Sequence, residues 1–153
     1  MIEIFVDADA CPVKDEIYVV GARYGLRVVI VANQRMAVPE DLGAVMVHVE
    51  QGPDVADDWI VEHIQPSDVV VTGDLPLAAR CLQGGAHVLG STGRVFDSES
   101  IGDLLATRSL KEHIRETGVQ TGGPAPLSTR DRSRFSQKLD ELVQRGIREL
   151  ESR

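Results

Sequence analysis

Asp7 and Asp9 stand two positions apart, directly after the apolar stretch Ile2-Glu3-Ile4-Phe5-Val6. If the extended backbone persists to Asp9, both side chains leave the same side of the chain, and if a turn starts earlier both still crowd the strand tip. Carboxylates this close repel one another. A fold tolerates them through a raised pKa, a neighbouring cation or a bound metal ion, and Mg²⁺ and Mn²⁺ prefer oxygen ligands. The plainer alternative is that one aspartate caps a helix starting near Pro12 and the other is solvated.

Asp74 ends the string Val-Val-Val-Thr-Gly-Asp. Alone it reads as a turn or N-cap residue, but it is also the second acid at a strand end of one sheet. Asp54, Asp57 and Asp58 open a helix, where the unsatisfied N–H groups favour negative charge. With Ala56, Ile60 and Ile64 on the buried stripe, Asp57 falls at its edge, Asp54 comes next, and Asp58 reads as surface charge. Such a cluster can hold one or two Mg²⁺ or Mn²⁺ ions and activate water, so the expected chemistry is phosphodiester hydrolysis. Arg130, Arg132, Arg134 and Lys138 are then expected to neutralise substrate phosphates if the C-terminal segment folds over the site. Asn33 reads first as a turn residue and second as a substrate contact. His48, His63, His87 and His113 lack ligand spacing, and the acidic surroundings of Cys11 argue against a thiolate nucleophile.

These residues need a scaffold that gathers strand ends. Ile2, Ile4 and Val6 alternate with other residues in a first strand; Leu26 to Ala32 and Ala44 to Val49 follow as second and third strands. Helical spacing recurs over residues 13–24 and about 55–64, the second stopped by Pro66. Val69 to Thr72 is a further strand, Pro76 to Leu82 a short helix, Ala86 to Leu89 another strand, and residues 101–116 a helix with Ile101, Leu104, Leu105 and Ile114 inward. A Gly/Pro-rich loop is expected at 118–130 and a closing helix at 131–151, with its apolar stripe on Phe135, Leu139, Leu142 and Val143. This alternation predicts a single domain over 1–153: a three-layer α/β/α sandwich with a mostly parallel central sheet and a ligand site at the strands' carboxyl ends.

The 153 residues, 42% of them hydrophobic, suffice for one core. A formal net charge of -8 excludes a protein that coats nucleic acid by charge alone. The imbalance is local: residues 1–100 hold 6 Lys and Arg against 16 Asp and Glu, and residues 101–153 hold 10 against 8. No apolar run reaches the ~20 residues that span a bilayer, and Met1 leads straight into a strand pattern, so no signal peptide and no membrane contact are expected. Two cysteines without framework spacing fit a reducing, cytoplasmic setting.

Several segments taken together carry a resemblance: Val6-Asp7-Ala8-Asp9-Ala10-Cys11-Pro12-Val13, Val31-Ala32-Asn33, Gly52-Pro53-Asp54-Val55-Ala56-Asp57, Val71-Thr72-Gly73-Asp74-Leu75-Pro76-Leu77-Ala78, Thr121-Gly122-Gly123-Pro124, and Asp131-Arg132 with Phe135. In this order, over nearly the whole chain, they resemble the YaiI/YqxD family of bacterial proteins, which looks like a branch of the PIN-like nucleases. The resemblance implies a metal-dependent ribonuclease acting on RNA. Its site would use Asp7, Asp9, Asp57 and Asp74, with Thr72 as a hydroxyl neighbour and Asp54 as an outer ligand. Two departures stand out: the helix acid is Asp where PIN-like nucleases more often have Glu, and Leu89 leads into Gly90-Ser91-Thr92 with no further acid.

Two other readings remain open. A phosphatase of the haloacid dehalogenase type would use Asp7 in Asp7-x-Asp9 as nucleophile, although Ala78 and Ala79 stand where a second acid is expected and no lysine motif precedes it. A non-catalytic PIN-like module would bind RNA or a protein without needing the acids. The oligomeric state is not written in the sequence.

Overall fold

Val28–Ala32 is β-branched apart from its last residue and buried along its whole length. A strand of this kind needs cover on both faces, and the computed structural model, which describes residues 1–107 and 126–153, supplies it. The strands are β1 (Ile4–Asp7), β2 (Val28–Ala32), β3 (Ala44–His48), β4 (Val69–Val71), β5 (His87–Leu89) and β6 (Val95–Phe96). The helices are α1 (Lys14–Arg23), α2 (Val55–His63), α3 (Leu75–Gln83), a helical stretch at 101–107 (α4), and α5 (Thr129–Glu151).

The sheet order is β3-β2-β1-β4-β5-β6, parallel throughout except for the antiparallel edge strand β6. Alternate residues point to opposite faces. Ile4, Val6, Val28 and Ile30 join the core beneath α1 and α5, with Ile17, Phe135 and Leu139. Phe5, Val29, Val31 and Val70 join the opposite core, with Ile60 of α2, Leu77 of α3 and Ile101 of α4. The expected three-layer α/β/α sandwich is therefore present, and the antiparallel β6 accounts for "mostly" parallel.

The chain winds outward from β1 through β2 to β3, then crosses back to lay β4 on the other side of β1. Val6 pairs with Val31's neighbour Ile30 on one side and with Val71 on the other. The connections leaving β1 and β4 diverge to opposite faces, which opens a crevice at their carboxyl ends.

Most expected boundaries shift by a residue or two. α1 starts at Lys14, leaving Pro12 outside the helix, and Val49 falls just beyond β3. The loop expected at 118–130 and the helix expected at 131–151 are corrected by two residues, because Thr129 and Arg130 are already helical. The cause is a capping box: the Ser128 hydroxyl accepts the Asp131 N–H at 3.1 Å, and the Asp131 carboxylate accepts the Ser128 N–H at 3.1 Å. The rest of that loop up to residue 125, and Ile114 on the expected fourth helix, lie outside the described residues. Near its far end α5 passes so close to the turn before β4 that a Cβ on Gly146 would lie 2.5 Å from the Ser67 carbonyl oxygen. Among the described residues no helix is long and apolar enough to cross a membrane.

Candidate active site

Asp7 is the last residue of β1, and Thr72 follows β4, so the strand order makes them neighbours across the switch point. The Thr72 hydroxyl, 2% exposed, donates to Asp7 Oδ2 at 2.9 Å and accepts the Asp74 N–H at 3.0 Å. One hydroxyl thus links both strand-end acids. Its single proton is committed to Asp7, which makes Thr72 an orienting group rather than a free donor for substrate.

Asp74 serves two purposes. As N-cap of α3 its Oδ1 accepts the Leu77 N–H at 2.9 Å, which is the routine role expected of an aspartate there. No hydrogen bond to its second oxygen is found among the described residues, and Asp74 lines a cavity of about 390 Å³ together with Asp7, Cys11, Thr72, Gly73 and Ser91. A larger hollow of about 720 Å³ lies at the other end of the sheet, beside Gly25, Arg27 and Gly43. It holds Glu40 and Asp41 with Arg27, but it lies at the amino ends of the strands, whereas the smaller cavity lies at their carboxyl ends, where ligands of open α/β sheets bind.

Asp57 reaches toward the same acids from α2. Burial, then repulsion from Asp74, Asp7 and Asp54, pushes its carboxyl up to about 6, with only Arg80 opposing. Asp7 is also raised, chiefly by burial and further by Asp74 and Asp9, against the lowering hydrogen bond from Thr72. Asp7, Asp57 and Asp74 therefore form one electrostatically coupled group. Asp58 is exposed and pairs with Arg80 at 2.8 Å, as expected of surface charge.

The remaining candidates are more peripheral. Asp9 is exposed, and its Oδ2 accepts the backbone N–H of Asn33 at 2.9 Å, tying the turn after β1 to the end of β2. The Asn33 carbonyl also meets His48 Nε2 at 3.2 Å, so its backbone holds a turn while its side-chain amide makes no hydrogen bond among the described residues. Asp54 occupies the N-cap position of α2, yet with φ of 64° its side chain caps nothing. An aspartate tolerates that left-handed conformation better than most residues, and here it leaves the carboxylate exposed near Asp57. Arg130 is exposed on the first turn of α5, whereas Arg132 is tied to α1 and its preceding turn. Lys138 pairs with Glu141. Of the histidines, His63 stacks on Trp59 and His87 pairs with Glu149; His113 lies outside the described residues.

Cys11 borders the cavity, but burial pushes its thiol up, and burial pushes Cys81 up to about 12. Both cysteines are buried and free, so neither offers a thiolate. Ser91 was not foreseen as a lining residue. Its signal is its place in the turn after β5, the strand next to β4.

Among the described residues no group of three or more His, Cys, Asp and Glu side chains is placed to hold a metal ion together. Mg²⁺ does not require one, since it keeps several waters and takes one or two carboxylates with the substrate's phosphate. The unbonded Asp74 oxygen and the half-buried, mutually repelling Asp7 and Asp57 suit such an open site.

The model of the uncharacterised YaiI/YqxD family matches residues 5–145. The chain belongs to the YaiI/YqxD family. Within it, the UPF0178 protein of Parvibaculum lavamentivorans is 53% identical over 144 residues, covering 94% of this chain and 95% of its own. That of Caulobacter vibrioides is 50% identical over 145 residues, covering 95% of each. That of Azorhizobium caulinodans is 51% identical over 144 residues, covering 94% and 91%. No solved structure matches the chain.

The coupled acids of this YaiI/YqxD protein make its stability depend on pH in an uncommon direction. The folded state holds the Asp57 proton up to about 6, above the ordinary 3.8, so in that window it binds more protons than the unfolded chain. Stability from this group is therefore highest below about pH 4, falls as pH rises through about 6, and is level above. Metal-free melts are expected to show a higher Tm at pH 5 than at pH 7.5, and Asp57→Asn is expected to shrink that difference. An unchanged difference in the variant would show that Asp57 is not the repelled group.

Proposed function

We propose that this protein is a divalent-metal-dependent ribonuclease of the PIN-like type, hydrolysing phosphodiester bonds of single-stranded RNA at Asp7, Asp57 and Asp74. The observation that carries the reading is the pairing of two strand-end acids, Asp7 and Asp74, on one cavity at the switch point of a parallel sheet, with Asp57 at a helix start near enough to feel their charge. Asp7 and Asp74 are the residues to hold Mg²⁺ or Mn²⁺, with Asp57 alongside and Asp9 and Asp54 as outer groups. A bound ion would activate water and stabilise charge developing on the phosphoryl oxygens.

The chain's own groups have distinct tasks in this reading. Thr72 fixes Asp7 and the Asp74 backbone in one relation, which limits the reorganisation needed at the moment of reaction. Asp57, raised to about 6 without metal by burial and by Asp74 and Asp7, would be relieved of that repulsion by a cation bound to them. Asp9 fixes the turn beside Asp7 through Asn33.

The absence of such a three-ligand group among the described residues favours a second reading, a PIN-like module that binds RNA or a protein without cleaving. One comparison separates them. Purified protein is incubated with end-labelled single-stranded RNA in Mn²⁺, in Mg²⁺ and in EDTA, alongside Asp7→Asn/Asp74→Asn. Cleavage by the wild type in metal alone, lost in the double variant, supports the ribonuclease; binding that survives in the variant without cleavage by either protein supports the module.

A further inference from the structure

α5 carries three arginines within its first six residues, Arg130, Arg132 and Arg134, and their surroundings differ. Arg132 Nη1 donates to the Pro12 carbonyl at 2.9 Å and to Glu16 Oε1 at 3.1 Å. The other Glu16 oxygen is buried with no partner. Lys14 Nζ closes on the Cys11 carbonyl at 2.9 Å. Together these bonds hold the end of the turn that follows Asp7, in which Cys11 lines the cavity. For Arg132 to reach a substrate it would have to leave Glu16 largely desolvated and without its cation, a costly exchange.

Arg134 is placed differently. Its aliphatic stem lies against Gly93, where an added Cβ would meet Arg134 Cγ at 3.0 Å and Cδ at 3.3 Å. Gly93 has φ of +90° and donates its N–H to the Gly90 carbonyl at 3.0 Å, closing the tight turn that presents Ser91 to the cavity. A side chain at position 93 would be strained and would displace the stem. The residue is exposed, and among the described residues no hydrogen bond or ion pair holds its guanidinium, although Asp131 three positions earlier feels its charge. Its stem thus packs on the turn that carries Ser91, one of the residues lining the cavity of Asp7 and Asp74.

We propose that Arg134 is the residue that grips the sugar-phosphate backbone of the substrate, and that Arg132 is a positioning residue acting through the Cys11–Pro12 turn. The assignment rests on the ribonuclease reading. A divalent ion held by Asp7 and Asp74 would attract only the reacting phosphate, so the flanking phosphates of a strand, repelled by the remaining acids, need a separate cation. An exposed guanidinium can pair with phosphate oxygens through two parallel N–H groups and loses little hydration in doing so.

Steady-state cleavage of single-stranded RNA over a range of salt tests this with the full chain and Arg134→Gln, Arg134→Lys and Arg132→Gln. For Arg134→Gln, KM is expected to rise about tenfold with kcat held, equivalent to about 1.4 kcal/mol. The slope of log KM against log salt should fall by about 0.7, one phosphate contact on a single strand. Arg134→Lys should restore the slope and part of the affinity, because the charge returns without the fork. Arg132→Gln should lower kcat and leave the salt slope intact. If the wild type cleaves RNA and Arg134→Gln keeps its KM and salt slope, or loses kcat alone, the assignment is overturned and the ribonuclease reading survives. If the wild type neither cleaves nor binds RNA, both fall together.

Discussion

Asp7→Asn is expected to lower metal-dependent RNA cleavage by about 10²-fold or more, the scale on which loss of one charge-stabilising group acts in a preorganised site, without weakening the metal-free fold. The amide can still accept the Thr72 hydroxyl through its oxygen, so the link across β1 and β4 persists. What disappears is a half-buried negative charge facing Asp74 and Asp9, which burial already disfavours. A carboxyl whose folded pKa is raised destabilises the folded state at pH values above that pKa, so its neutral replacement relieves strain. The Tm in EDTA at pH 7.5 should therefore hold or rise, while the rise produced by added Mn²⁺ in the wild type should vanish. A residue retained for stability would behave in the opposite way: unchanged cleavage together with a lower Tm would remove Asp7 from the chemistry.

Phe135→Ala should produce the largest loss of stability. Phe135 is fully buried on α5, in the same core as Val6, Ala8, Val13 and Val71. Truncating a buried phenylalanine costs about 3–5 kcal/mol through lost burial and the cavity left behind. A domain typically has ~5–15 kcal/mol in total. The melting temperature should fall on the order of 10 °C for a chain of this size. Urea unfolding midpoints for Phe135→Ala and the milder Phe135→Leu would measure it, and a loss well under 1 kcal/mol would contradict the packing. Because Phe135 lies on the turn of α5 that carries Arg132 and Arg134, its loss also bears on the site.

The two predictions draw on different layers. The acids Asp7 and Asp57, half-buried and raised, are costly for stability in the metal-free fold, as expected where a site works against the fold. The α5 contact does the reverse, stabilising the core while setting where two arginines stand. Substitutions that raise the metal-free Tm are therefore expected among the acids, and those that lower it among the residues of α5.

Much of this could be read from the chain because the signals are local. Val28–Ala32 is apolar throughout, which demands burial on both faces, and Asp7 and Asp74 each end an apolar run, which places them at strand tips. The stripe of Phe135, Leu139, Leu142 and Val143 follows directly from helical period, and all four are buried. Even the capping box that moved the start of α5 to Thr129 is visible as Ser128 and Asp131 three apart. Strand order is another matter. Only the crossover that seats β4 against β1 turns Asp7 and Asp74 into neighbours, with Thr72 shared between them. Tertiary packing likewise separated Arg132 from Arg134, which look alike in sequence. Arg132 meets Pro12 and Glu16 more than a hundred residues away, whereas Arg134 meets a glycine turn and, among the described residues, makes no ion pair. Periodicity and end signals specify what one segment becomes; partners brought together by long-range pairing depend on how loops close, which no single segment encodes.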